Sequence, residues 1–243
     1  MLSSIFKTII SRRDVKIFLT FCLLPFLIPV LSGNIETVNG NYTQSFLSFF
    51  QITLKTNYQL VLPTLIFSVI IASVFGDEID SRILFLYKDI NRKKIFNSKI
   101  FALFMVYGIM SVGTLLSSLA VYYGFIVSEY GASLRLIDIN NLSNDLLMII
   151  GIILLNLITI VLTAAVSIVT TSLKSVLVGA LFNMFVMTAP LWVGLKYLSP
   201  ISYIEILSNR GLLLRLLAVV GISAVYMIFS YCKGLKNFYK VEF

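Results

Sequence analysis

GDEIDSRILFLYKDINRKKIFNSK, residues 76–99, lies between two long apolar runs. It holds six of the chain's 19 Lys and Arg residues and four of its 11 Asp and Glu residues. Ile79, Ile83, Leu84, Leu86 and Tyr87 form an apolar stripe at helical spacing. Asp77, Glu78 and Asp80 stand at its start and Lys88 near its end, as the helix dipole favours. Asp89-Ile90-Asn91 reads as a turn, and Arg92-Lys93-Lys94 as the start of a second short helix leading into the next apolar run. One reading is a solvated loop whose cations hold anionic headgroups. The acidic start argues for the other, a surface that meets a protein partner.

Outside this stretch the chain is apolar. Of its 243 residues 58% are hydrophobic and 12% charged, and the mean hydropathy is +0.97. Soluble domains carry about 25% charged residues. Runs of about 20 apolar residues recur between short polar stretches, as an all-α integral membrane protein requires. The pattern predicts six transmembrane helices, at about 15–32, 58–75, 100–127, 144–170, 176–194 and 212–231. Residues 1–243 then form a single transmembrane domain. Leu2, Ile5, Phe6, Ile9 and Ile10 predict an amphipathic interfacial helix before the first span. Pro25 and Pro29 predict a kink within that span. Residues 45–54 are apolar enough to lie on the outer membrane surface.

Charge orients the chain. Lys7, Arg12, Arg13 and Lys16 precede the first span, and six cations lie within 77–99. Lys174 marks a later turn, and Lys233, Lys236 and Lys240 mark the tail. Against these fourteen, the opposite side has Lys55, Arg135, Lys196, Arg210 and Arg215. The asymmetry puts both termini and residues 77–99 in the cytoplasm. It also accounts for the net charge of +8 without nucleic acid.

Several chemistries are excluded. The chain has no His, which removes the commonest general base and the HExxH zinc site. It has two cysteines, Cys22 and Cys232, read as small buried hydrophobes. No GxxxxGK[ST] phosphate loop is present. No Asp, Glu or Lys is expected deep in a span, and Arg215 is close enough to a membrane surface to snorkel. This disfavours ion-coupled transport and intramembrane catalysis on lipids. Thr159, Thr163 and Ser167 recur every four residues after Asn156, and Asn183 lies in the fifth span. They line a cargo path or pack helices.

Glu78, then Ser81-Arg82, an apolar helix, Asn91-Arg92-Lys93-Lys94 and Lys99 at the start of the third span resemble the first cytoplasmic loop of type-2 ABC exporter permeases. Six spans and Leu198-Ser199-Pro200 after the fifth resemble that family too. Asp80 stands where the family has Gly, and Asp89 or Ile90 where it has Pro. The resemblance implies that 77–99 is a coupling helix docking on an ABC ATPase dimer. Glu78, Arg82 and Arg92 would make polar contacts, and Ile79, Ile83 and Leu86 an apolar key. It implies a second permease copy or a homologous permease, and a multi-pass place in a bacterial plasma membrane. It implies no cofactor on this chain, with ATP and Mg on the partner, and no enzyme activity of its own. The cargo would be an antimicrobial or other peptide, or a lipid-like or drug molecule. The alternative is a non-transporting scaffold or sensor whose loop binds a regulator.

Overall fold

A computed structural model describes residues 2–27, 43–77 (backbone only at Asp77), 91–208 and 210–240. Among them the chain is helical, with no strand. Helix α1 (Leu2–Ile10) and α2 (Arg13–Thr20) lead into a 3-10 turn at Phe21–Phe26. Helices α3 (Phe46–Gln59) and α4 (Val61–Ala72) follow, α4 ending in a π-turn at Ser73–Asp77. Helix α5 (Arg92–Val121) continues through a π-turn, Tyr122–Ile126, into α6 (Val127–Tyr130). Then come α7 (Leu142–Ser167), α8 (Ser172–Thr188), α9 (Ser202–Ile206) and α10 (Leu212–Lys240).

Four helical stretches are long and apolar enough to cross a membrane: Arg92–Tyr130, Leu142–Ser167, Ser172–Leu191 and Leu212–Lys240. The pair α3–α4 would make a fifth if its two bent arms are one span. Six separate spans are therefore not what the described residues contain. The predicted first span divides at Thr20, where α2 gives way to the 3-10 turn. Pro25 cannot donate to the Cys22 carbonyl three residues back in that 3-10 turn, and the Ser117 hydroxyl donates to that carbonyl instead. The rest of that span, Pro29 included, lies outside the described residues.

Two further expectations change, and one helix runs longer than its expected span. Arg92 opens no separate short helix, because α5 runs unbroken from Arg92. The Asn91 side chain caps it, accepting from the Lys93 amide at 3.0 Å. Helix α10 continues past residue 231, the expected end of the sixth span, to Lys240. Residues 45–54 do not lie on an outer surface. Phe46, Phe49, Phe50 and Leu54 are buried in a core with Tyr122, Ile152 and Leu155.

Two large cores stack along the bundle. One joins α1, α2, the lower half of α4, and α5 and α7 around Phe18, Phe67, Phe75 and Phe96. Phe18 stacks on Phe67 with ring centroids 4.4 Å apart. The other surrounds Phe49 and Tyr122. Ile5, Phe6 and Ile10 of α1 pack on the first core, so the apolar face of that amphipathic helix is spent on protein. Cross-contacts show which ends lie together. Arg12 reaches Ser73 at 2.6 Å, Lys99 reaches the Val74 carbonyl, and Arg92 reaches the Tyr239 carbonyl at 2.7 Å. At the opposite end Ser48 bonds Asp145, and Arg215 bonds Asn144. Arg12, Arg92 and Lys99 are thus gathered at one end of the bundle.

Candidate functional site

Pro63 sets the site. It has no N–H for the Gln59 carbonyl, and its ring crowds that carbonyl in a continuous helix. The helix breaks one residue on. Leu60 is extended (φ −68°, ψ 114°), and α3 and α4 meet at 64°. Inside an apolar bundle the freed backbone groups need other partners. Asn183 of α8, fully buried, donates through Nδ2 to the Tyr58 carbonyl at 3.1 Å and to the Thr64 hydroxyl.

A buried polar cluster surrounds this break. Asn57, Thr64, Ser68, Thr163 and Asn183 are all at most 5% exposed. Both amide atoms of Asn57, the Tyr58 hydroxyl, Ser68 Oγ, Thr163 Oγ1 and Asn183 Oδ1 have no hydrogen-bond partner. Each such group costs about 1–3 kcal/mol when buried unpaired. Asn57, Tyr58, Thr64, Tyr107 and Asn156 line a cavity of about 20 Å³, room for one water-sized group. Tyr58 and Ile152 also line a larger cavity of about 200 Å³, with Lys55 and Glu205 among its walls. The two spaces share that wall, and the larger is on the Asp145 side of the bundle.

The arrangement can bind neutral hydrogen-bonding groups. The small cavity is lined by amides, hydroxyls and apolar side chains, with no carboxylate or amine. Among the described residues no three His, Cys, Asp or Glu side chains gather to hold a metal.

Of the residues flagged on α7 and α8, Asn156 lines the cavity and donates to the Ile152 carbonyl at 2.9 Å. Thr159 and Ser167 turn their hydroxyls back onto the carbonyls of Leu155 and Ala164 at 2.9 Å. Thr163 faces Gly179: a Cβ there would stand 2.7 Å from Thr163 Oγ1 and closer still to Ser68 Oγ. That glycine lets α4, α7 and α8 approach closely. Asn57, Tyr58, Thr64 and Ser68 were not singled out by sequence. The signal was Pro63, close after a polar Asn57 in an apolar run.

Three charged side chains are buried against protein. Lys99 is 2% exposed. Its ammonium donates to the Val74 carbonyl at 2.8 Å and sits 5.2 Å from the centre of the Phe75 ring. Asp145 and Arg215 are each 8% exposed. The Arg215 guanidinium donates to Asn144 Oδ1, in the first turn of α7, at 2.7 Å. Asp145 accepts from Ser48 at 2.6 Å. Cys232 is exposed and Cys22 half-buried, so neither is a core hydrophobe.

Of the expected coupling residues, Glu78, Ile79, Arg82, Ile83 and Leu86 lie outside the described residues. Arg92 is described, and it satisfies a carbonyl at the C-terminal end of α10, where a cation suits the dipole. No protein-family model, curated protein or solved structure matches the chain.

Proposed function

We propose that this chain is the membrane-spanning permease subunit of an ATP-driven ABC exporter. It moves amphipathic cargo through a path that includes the polar cavity at the α3–α4 break. An ABC ATPase dimer binds the charged segment 77–99, and a second permease completes the path. The observation that carries this reading is how that segment is tethered. Lys99 on α5 is bonded to Val74 at the end of α4, within a knot of Phe75, Phe96 and Phe238. Arg12 holds the adjacent Ser73. A load taken up between residues 77 and 99 therefore reaches α4 and, through it, the break at Leu60. A near-complete switch between two states needs about 5.5 kcal/mol of differential binding. A nucleotide-driven clamp on the segment supplies that, and the chain has no phosphate loop of its own.

The test has two arms. Purification in mild detergent is expected to retain an ATPase that carries a phosphate loop. Glu78→Lys combined with Arg82→Glu is expected to abolish transport and ATPase stimulation while membrane insertion is unchanged. A chain that retains no ATPase, or a double variant with full stimulation, overturns the proposal. A retained regulator without a phosphate loop favours the scaffold or sensor.

A further inference from the structure

A second cavity stands apart from the polar cluster. It is a groove of about 550 Å³ between α1, α5, α7 and α10, within the size range of small-molecule sites. Val161 and Ile100 contribute to it from the core, and Phe101, Phe104, Met227 and Ile228 are apolar walls. Phe101 and Ile228 are 53% and 63% exposed. Polar groups stand together at the end nearest the cations. The Tyr231 hydroxyl donates to Asn97 Oδ1 at 2.7 Å, which leaves the Asn97 amide hydrogens as donors beside Ser98.

One turn before Asn97 and Ser98, on the same face of α5, come Lys93 and Lys94, both exposed. They follow Arg92 in the first turn of α5, which contains no acidic residue. Three cations at the positive end of a helix dipole are unfavourable unless an anion lies against them. Arg92 is turned to the Tyr239 carbonyl, which ties the ends of α5 and α10 together beyond the groove. Lys93 and Lys94 remain as the pair nearest its polar end.

We infer that this groove is a binding site for one anionic phospholipid. Its acyl chain lies between Phe101, Phe104 and Ile228, and its phosphate sits at Lys93, Lys94 and the Asn97 amide. The ligand is built like the site: a long apolar body with one negative end. This goes beyond the export role and does not depend on it.

Brominated lipids read the site directly. The chain's only Trp, Trp192, is at the far end of α8 and is removed as Trp192→Phe. Phe104→Trp then places an indole in the groove wall. In phosphatidylcholine vesicles, brominated phosphatidylglycerol is expected to quench this indole at much lower mole fraction than brominated phosphatidylcholine does. Lys93→Gln and Lys94→Gln should each weaken that preference about fivefold, the equivalent of roughly 1 kcal/mol per surface cation. Native mass spectrometry of the otherwise unaltered chain is the second readout. Phosphatidylglycerol should stay bound, and the exposed Lys93→Gln/Lys94→Gln pair should release it. Equal quenching by the two lipids means ordinary boundary lipid and overturns the inference. Quenching by neither means that protein covers the groove, and overturns it as well.

Discussion

The α4–α8 contact and the seat of α10 on α7 are built on the same plan and finished differently. In both, small side chains make up much of the inward face and large apolar ones much of the outward face. Helix α8 buries Ser175, Gly179 and Asn183 while Leu177, Leu181 and Met184 are at least half exposed. Helix α10 buries Ser223, Ser230 and Gly234 while Leu217, Val225 and Phe229 are about two-thirds exposed. In a bilayer, apolar bulk gains nothing by turning inward, because lipid tails are as apolar as Leu. The difference is polarity. Across α4–α8 the contact holds Asn183, Thr64, Ser68 and Thr163, with several polar atoms unpartnered. Where α10 crosses α7, Gly234 lies against Ala165, whose Cβ would be 3.0 Å from an added methyl. The α10–α7 contact carries less of this polarity, the Arg215–Asn144 bond and an unpartnered Ser223 hydroxyl on α10; the α4–α8 contact gathers more polar groups that are costly to leave unmade. The second is the better material for a place that changes state.

The sharpest break in this comparison is Gly179→Val. Its Cβ would collide with Ser68 Oγ and Thr163 Oγ1, and Ser68 Cβ is also only 3.2 Å away. Overpacking of this kind costs about 1–3 kcal/mol. The value should be at the upper end here, since three helices meet at this point. Equilibrium unfolding in mixed micelles measures it, and Ser68→Gly in the same chain should recover part of the loss. A neutral Gly179→Val would mean that α4 and α8 are not in close contact.

Hydropathy made α5, α7, α8 and α10 legible, because each is a long apolar run with no competing pattern. Charge made the basic end legible. The α3–α4 region was not. Its apolar content reads as a surface segment followed by a span, and only Pro63 marks the break. Asn183 could be flagged as an intramembrane amide. Its partner could not, because the Tyr58 carbonyl has no side-chain signature and became available only when the helix broke. Lys99, Asp145 and Arg215 are covered by protein in a way that hydropathy does not register. Distance from the end of an apolar run says nothing about which neighbour covers a charge, and here Phe75, Ser48 and Asn144 do.

A smaller effect comes from the amide at the break. Asn183→Leu keeps an apolar body of similar size and removes the donor to the Tyr58 carbonyl and the Thr64 hydroxyl. The expected loss is about 1–2 kcal/mol, between the cost of an orphaned buried acceptor and the weaker polar contacts measured inside membranes. Thr64→Val should lose less. The double variant should lose less than the sum, because the two groups share one bond. Strict additivity would show that Asn183 acts only through the backbone.

The smallest effect is predicted on the outer face of α10. Leu217 is 68% exposed and Val225 67% exposed, on a helix whose most apolar window is only 17% buried. If lipid tails cover this face, Leu217→Ala and Val225→Ala replace one apolar contact by another. Each should change stability by less than about 0.5 kcal/mol, the usual range for exposed positions. The measurement gains force from its opposite. A loss above about 2 kcal/mol at Leu217 is the cost of truncating a buried leucine, so it would mean that protein, not lipid, covers this face. α10 would then be the seam to a second copy, and its widely exposed outer face would be the sign of a helix shared between two.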